Sequence, residues 1–441
     1  MKQNLNDSLK ILIFFLSGIT IFTSCVPLAP QSSSTSVSKE LHYENHVYEE
    51  GIKSVTLYPY TGNQRDLLLS TAIPLSQETP LQLSFDELSS ESQSYYVKVI
   101  LCNANWTPSQ VSSIDYIDQF NELLITDYEL SVATKVPYTN YRVNIPRVKV
   151  PGNYLIKVYR NKNEDDLILT RRFMVYSEQV QLNTNVGFSS VVSFRDLNQQ
   201  LNLSINFRNF ELINPMENVK VMIRQNQRWD NVIYLKPSFV TVGSNTIEYN
   251  YFNLENNFSG GNEFRAFDLR SVTFPGLNVA RIVNTPAIKE AFLAIDKSRK
   301  GQAYSLVPDI NGKFIVDNYD FNSDSTSGSE YLDVNFSLES PRLEQDVFIV
   351  GALTNWTLSP KNKMAYNVEN GRYEGKLLLK QGWYNYAYGV SSPNGKINTT
   401  PFEGSHFETE NEYEIFVYYR PVGSRTDLII GYYYIDHNLR K

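Results

Sequence analysis

The 441-residue sequence predicts an all-β protein built from about three immunoglobulin-like or β-sandwich domains in tandem. Three observations carry this. Aromatic residues are abundant, with 30 Tyr and 24 Phe against 5 Met, and aromatic side chains fit half-buried pleated surfaces better than helices. Apolar residues alternate with period 2 over short runs, the signature of half-buried strands. Gly, Pro and Asn break these runs without intervening helical patterns, which points to antiparallel sandwiches.

The N-terminal residues read as a targeting segment. "MKQNLNDSLKILIFFLSGITIFTSC" has early lysines, then an apolar run from Ile11 to about Phe22 that ends in small residues before a cysteine. The run is shorter than the ~20 apolar residues of a transmembrane helix and has signal-peptide proportions. Phe22-Thr23-Ser24-Cys25 resembles a bacterial lipobox. Residues 1–24 are therefore expected to be a lipoprotein-type signal peptide, with Cys25 as the lipidation site. The alternative is an ordinary signal peptide cut near Ser24. Residues 25–46 open with "VPLAPQSSSTSVSKE" after the cysteine and are expected to form a flexible tether.

From residue 47 the runs "KSVTLYPY", "LQLSFDEL", "YYVKVILCN", "NYLIKVYRN" and "LTRRFMVYS" predict an N-terminal sandwich over 47–178. "SIDYIDQFNELL" reads as a short helix or loop. "QLNLSINFRNF", "VKVMIRQNQRW", "NTIEYNYF" and "NEFRAFDLRSVTF" predict a middle β domain, 179–329. It includes a turn signal at Asn311-Gly312 and an acidic, Ser-rich linker, "DFNSDSTSGSE". "YLDVNFSLESP", "DVFIVGALTNW", "GRYEGKLLLKQGWYNYAYGV", "YEIFVYYRP" and "DLIIGYYYI" predict a C-terminal immunoglobulin-like sandwich over 330–441.

Composition narrows the function classes. The net charge is −7. Removing residues 1–24 takes away Lys2, Lys10 and Asp7 and leaves −8. Without a basic cluster there is nothing to neutralise phosphates, so no nucleic-acid partner is expected. With Cys25 lipidated, Cys102 has no intramolecular disulfide partner. It sits at the end of a strand pattern, where a small apolar residue packs. No nucleophile signature surrounds it, and the chain has no nucleophile elbow and no phosphate-cradling loop. His42 and His46 are spaced i, i+4 but lack a third ligand, so neither a metal nor another cofactor is expected. "NEDDL" (163–167) reads as a solvated turn. No pair of carboxylates stands out as a glycosidase couple, and the chain is read as non-enzymatic.

The order Gly351, Trp356, Gly371, Tyr373, Gly382, Trp383, Tyr386 resembles immunoglobulin-like modules related to glycogen- and starch-binding domains. In the functional reading Trp356 and Trp383 stack on sugars. In the structural reading they fill a sandwich core. A wider resemblance rests on an ordered set of short stretches: "SFDEL" (84–88), "CNANW" (102–106), "DYELS" (127–131), "YTNY" (138–141), "GNY" (152–154) and "TRRF" (170–173). It continues in "GNEFRAFDLRS" (261–271), "DING" (309–312), "ETENEY" (408–413) and "DLIIGYY" (427–433). This set resembles the type IX secretion system plug protein family of Bacteroidetes-type bacteria. Members often carry His before the cysteine and Asp after it, where this chain has Leu101 and Asn103.

The resemblance implies a non-catalytic interaction protein. It would be the periplasmic plug that closes the giant outer-membrane β-barrel translocon when cargo is absent. Cys25 would hold it by lipid to the periplasmic face of the outer membrane. The alternative is a carbohydrate-binding outer-membrane lipoprotein of a glycan uptake system, using Trp356 and Trp383.

Overall fold

The computed structural model of the chain describes residues 39–320 and 325–438. The signal-peptide and Cys25 expectations lie outside the described residues. The described chain is β-rich, with short helical turns only, and its strands form three sandwiches.

The N-terminal sandwich pairs two sheets. One is built on Tyr95–Cys102, Gly152–Arg160 and Leu167–Tyr176, joined by His46–Val47, Ala72–Pro74 and Leu123–Leu124. The other orders Ile52–Pro59, Leu81–Glu87, Thr139–Asn144 and Asp127–Leu130. Period-2 alternation drives the inner faces together. Leu83, Phe85, Tyr95, Val97, Val99, Tyr141, Ile156, Val158 and Phe173 meet in one buried cluster. Phe85 stacks on Tyr141 at 5.2 Å, and Tyr95 meets Tyr141 edge-on at 4.9 Å. The segment 113–124 supplies a helical turn at Ser113–Tyr116 and the short strand Leu123–Leu124.

The middle sandwich differs from the linear expectation. Its first sheet is local: Gln181–Phe188, Asn198–Asn206, Thr246–Tyr249 and Phe239–Thr241, with Asn257–Ser259 alongside. Its second sheet orders Ile233–Leu235, Val219–Gln225, Asn411–Tyr419 and Leu428–His437. The last two strands of the chain therefore belong here and not to a domain spanning 330–441. Val221 faces Val417 and Ile223 faces Ile415 across the antiparallel pair. These side chains share a core with Leu201, Leu203, Ile205 and Ile247. Alternation marks a strand but does not choose its partner, which is a non-local matter.

The third sandwich is an insertion between Ser259 and Asn411. Arg265–Asp268 and Phe314–Val316 pair with Gly382–Ser391. Tyr331–Glu339 pairs with Arg372–Lys380 and, in parallel, with Lys289–Leu293. Lys363–Asn367 pairs with Val347–Val350 and with Arg372–Lys380, closing the two sheets at one corner. Phe267, Val334, Phe336, Ile349, Tyr384, Tyr386 and Tyr388 fill its core. Asn311 and Gly312 both have positive φ (53° and 76°), as the Asn-Gly signal predicts. The turn does not join two adjacent strands; Gly312 instead gives room to the Trp356 ring, 2.6 Å from where a Cβ would sit.

Two other segments depart from expectation. Residues 39–46, expected in the tether, pack on the N-terminal sandwich. Lys39 Nζ pairs with Glu49 (2.7 Å) and Asp166 (2.8 Å), and Leu41 and Tyr43 join a buried apolar cluster. The described part of the acidic linker is a contact surface, because its hydroxyls, carbonyls and Glu330 satisfy polar groups of the N-terminal sandwich.

Candidate functional site

Several strands are apolar on both faces, so one face serves a sandwich core and the other is left for a second body. In Tyr95–Cys102, Val97, Val99 and Leu101 point to the core. Cys102 has the opposite parity and points outward. The same holds for Leu155 in Gly152–Arg160, for Met222 in Val219–Gln225, and for Phe416 and Tyr418 in Asn411–Tyr419. These outward residues form one buried cluster with Trp106, Met174 and Ile429. This apolar seam joins the N-terminal and middle sandwiches.

"CNANW" is the turn that locks the seam. Cys102 is fully buried in it, and burial pushes its thiol up to about 12. It is packing in the seam between two domains, not in its own domain's core. Asn103 Oδ1 accepts from Arg420 (2.5 Å), and the Ala104 amide donates to Asp427 Oδ2 (2.9 Å). Trp106, 4% exposed, sits at a left-handed φ of 65°. It meets Trp229 edge-on at 5.1 Å. The Arg172 guanidinium lies 4.3 Å from the Trp106 ring and 4.8 Å from that of Trp229, and Arg224 lies 4.7 Å from Trp229. Arg224 pairs with Glu414 at 2.6 Å, both 1% exposed. Glu414 also accepts from Ser70 of the N-terminal sandwich and from Tyr432 (3.1 Å). Gly152 stands where a Cβ would be 3.0 Å from Leu101 Cδ1 and 3.4 Å from the Asp427 carbonyl oxygen.

A second seam joins the N-terminal and inserted sandwiches, and its chemistry is opposite. Asp86, with no exposed surface, accepts from Lys380 Nζ (2.8 Å), the Tyr331 hydroxyl (2.7 Å) and Asn140 Nδ2 (2.7 Å). Burial, then the Asp86 charge, pushes the Tyr331 hydroxyl far above its ordinary range. A bulge at Lys53–Thr56 turns Ser54 (φ 48°) toward the Tyr331 hydroxyl at 2.7 Å. Tyr138 donates to the carbonyl oxygens of Thr326 and Ser329, both at 2.9 Å. The Lys135 amide donates to Glu330 (3.1 Å), and Ser327 donates to Glu129 (2.9 Å). A cleft of about 360 Å³ enters this seam, lined by Ser54, Tyr58, Gln82, Asp86, Asn140 and Lys380 among others.

The short stretches read from the sequence thus converge on the seams. "CNANW", "GNY" and "TRRF" meet at the apolar one, through Trp106, Asn153 (bonded to Tyr418 at 2.8 Å) and Arg172. "SFDEL", "DYELS" and "YTNY" meet at the polar one, through Asp86, Glu129, Tyr138 and Asn140. "GNEFRAFDLRS" and "ETENEY" hold the two chain crossings into and out of the insertion. There the Glu410 amide donates to Glu263 (3.1 Å) and Asn411 Nδ2 donates to the Gly260 carbonyl (2.8 Å). Sequence reasoning missed Arg172, Trp229, Asp86 and Lys380 as joining residues. A charge inside an otherwise apolar strand, as at Arg224 and Glu414, was the available signal.

The other singled-out residues lie apart. Trp356 is partly buried, with the Arg228 guanidinium 4.1 Å from its ring and Phe264 edge-on at 5.7 Å. Trp383 is partly buried, with Arg270 at 5.2 Å, and Arg270 also covers Tyr319 at 4.3 Å. One neighbour of each indole is therefore an arginine, and the two are not brought together on one face by any described contact. The His42 and His46 rings pack at 4.7 Å, His46 against Tyr48 at 4.5 Å. Among the described residues no group of three His, Cys, Asp or Glu is placed to hold a metal ion. The acids of "NEDDL" pair with cations: Glu164 with Lys157 (2.8 Å) and Asp166 with Arg160 (3.1 Å).

Residues 52–177, the span of the N-terminal sandwich, match the family described as type 9 secretion system plug protein, 1st domain. A crystal structure of a hypothetical protein from Parabacteroides merdae is similar throughout. It is 33% identical, covers 90% of this chain and 100% of its own, and superposes with a TM-score of 0.83. No curated protein matches the chain. Residues 52–177 therefore belong to the type 9 secretion system plug protein first-domain family.

Proposed function

We propose that this chain, which carries the first domain of the type 9 secretion system plug family, is a non-catalytic plug that closes the periplasmic mouth of the outer-membrane translocon while no cargo occupies it. The observation that carries the reading is the family match over the whole N-terminal sandwich. The physical logic is consistent with it. A barrel wide enough to pass folded cargo encloses a channel that leaks unless covered. A body of three sandwiches, two of them fixed to each other through a buried apolar seam, presents large, shape-stable faces.

The reading includes a lipid anchor at Cys25 and a position on the periplasmic face of the outer membrane. A lipid anchor would keep the body close to the barrel and raise its effective concentration there. The support is the lipobox-like Phe22-Thr23-Ser24-Cys25.

The test is affinity purification of a C-terminally tagged copy from gently solubilised outer membranes, with mass spectrometry of what accompanies it. The expected result is one giant barrel protein, lost when cargo is stalled in the pore. Recovery of glycan-uptake components instead would favour the carbohydrate-binding alternative. Cys25→Ala is expected to release the protein from the membrane fraction. Unchanged membrane retention would remove the anchor from the proposal.

A further inference from the structure

The two seams differ in kind. Among the described residues, the buried apolar cluster of Cys102, Trp106, Met222 and Phe416 joins the N-terminal and middle sandwiches. The other buried apolar clusters each stay within one sandwich. The inserted sandwich meets the N-terminal one through polar contacts. They include Asp86–Lys380, Ser54–Tyr331, Tyr138 with the Thr326 and Ser329 carbonyls, Glu330–Lys135, Ser327–Glu129, Lys313 with the Leu68 carbonyl (2.9 Å), Asn355–Asn45 (2.9 Å) and Lys361–Glu50 (3.1 Å). The ring contact across the seam, Tyr138 edge-on to Tyr331 at 5.4 Å, is between two hydroxyl-bearing rings that are both hydrogen-bonded.

Domains joined by polar surfaces move relative to each other unless the interface is large and hydrophobic. A buried ion pair costs desolvation that its attraction barely repays, so it is poor glue compared with apolar packing. The insertion is joined to the middle sandwich by two adjacent crossings, 260–264 and 404–410, and touches it beyond them through the Lys313–Glu412 ion pair (2.8 Å) and the Arg228 guanidinium, 4.1 Å from the Trp356 ring. The crossings are bonded to each other by the His406 amide to the Gly261 carbonyl (2.9 Å) and by the Gly261 amide to the Ser405 hydroxyl (3.1 Å). Paired crossings on one side and a polar contact on the other make a hinge and a latch.

We infer that the inserted sandwich is a hinged module: it parts from the N-terminal sandwich at the Asp86–Lys380 latch and turns on the paired crossings, while the N-terminal and middle sandwiches move as one piece. Opening bares the polar sheet face that carries Gln82, Ser84, Asp86 and Asn140. The inference goes beyond the plug reading and stands independently of it.

The test measures distances between spin labels by pulsed dipolar spectroscopy on the full chain in a Cys25→Ser background. Cys102 is buried and stays unlabelled. One pair, Ile114→Cys with Val368→Cys, spans the polar seam. The other, Ile114→Cys with Val192→Cys, lies within the rigid pair. All three sites are exposed. Asp86→Asn takes the carboxylate from the buried Lys380 ammonium, which keeps the Thr326 carbonyl (2.6 Å) and the Tyr138 ring (4.0 Å). It is expected to give the first pair a second, longer distance population of about a tenth or more, and to leave the second pair unchanged. Adding Lys380→Met removes the buried charge that has lost its counter-ion and is expected to restore the single population. A single unchanged distance in Asp86→Asn, or equal broadening of both pairs, overturns the inference.

If Asp86→Asn does not fold, amide exchange in the unsubstituted protein decides. The Val132 and Lys135 amides, which donate across the polar seam, are expected to exchange at least about tenfold faster than those of Ala104 and Ser177, which donate across the apolar one. Exchange of all four at one rate overturns it.

Discussion

Trp106→Ala is the sharpest test of the apolar seam. The indole is 4% exposed, edge-on to Trp229 at 5.1 Å, with the Arg172 guanidinium 4.3 Å from its ring. Truncating a buried Trp to Ala costs about 3–5 kcal/mol through lost burial and the cavity left behind. Loss of a desolvated cation–π contact adds up to about 2 kcal/mol. These terms overlap, so the expected loss is about 5 kcal/mol. The backbone refines the argument. Trp106 sits at φ 65°, where any residue with a Cβ is strained by about 1–2 kcal/mol and glycine is not. Trp106→Gly should therefore be less destabilising than Trp106→Ala by about 1 kcal/mol, the reverse of the usual order. The assay is urea unfolding followed by near-ultraviolet circular dichroism, with Trp383→Ala as the partly exposed control at about 1 kcal/mol. A loss under about 1.5 kcal/mol for Trp106→Ala would refute the claim that this seam holds the two sandwiches together. A glycine variant less stable than the alanine one would refute the backbone part.

Other consequences follow from named groups. Glu414→Leu alone strands the buried Arg224 guanidinium and is expected to cost about 3–5 kcal/mol, while Glu414→Leu with Arg224→Met recovers most of it; equal losses in the single and double variants would contradict the pairing. A Cβ at Gly260 would overlap the His406 carbonyl oxygen and lie 2.8 Å from its carbon and 3.1 Å from the Leu197 carbonyl oxygen. Gly260→Ala should therefore lower soluble yield and speed amide exchange across 260–263 and 405–410. Asp309 is partly exposed beside Glu263, and desolvation by the surrounding protein, then that neighbouring charge, pushes its carboxyl up to about 7. A raised acid binds its proton in the folded state at pH values where the unfolded chain has lost it, so its contribution is present below about pH 4 and is lost as pH rises through 7. Asp309→Asn should thus gain stability relative to the parent at pH 8 over pH 5, by at most about 4 kcal/mol; an equal difference at both pH values would count against this. Cys102, its thiol pushed up to about 12, should resist thiol reagents at pH 8 until urea is added, and fast labelling of the native protein would contradict its burial.

The fold class was legible because alternation is local. "YYVKVILCN" and "NYLIKVYRN" announce strands through side-chain parity alone, and each runs where the pattern places it. The insertion was not legible. "YEIFVYY" reads as a strand, but nothing in it says that Val417 will face Val221 across nearly two hundred residues. The candidate site was half visible. Its short stretches stood out as an ordered set, yet their common role in joining domains emerged only when Cys102 and Trp106 were found facing Met222 and Trp229.

By itself, then, the sequence determined what local chemistry dictates: strands from period-2 alternation, turns such as Asn311-Gly312 with both residues left-handed, and burial of Cys102. Only the tertiary structure decided which sheet each strand joined, that the chain crosses out of the middle sandwich and back, and that one seam is apolar while the other is closed by Asp86 and Lys380. The physical reason is range. Parity and turn geometry act between neighbours along the chain, whereas partner choice and the pairing of a buried charge depend on surfaces brought together from distant segments.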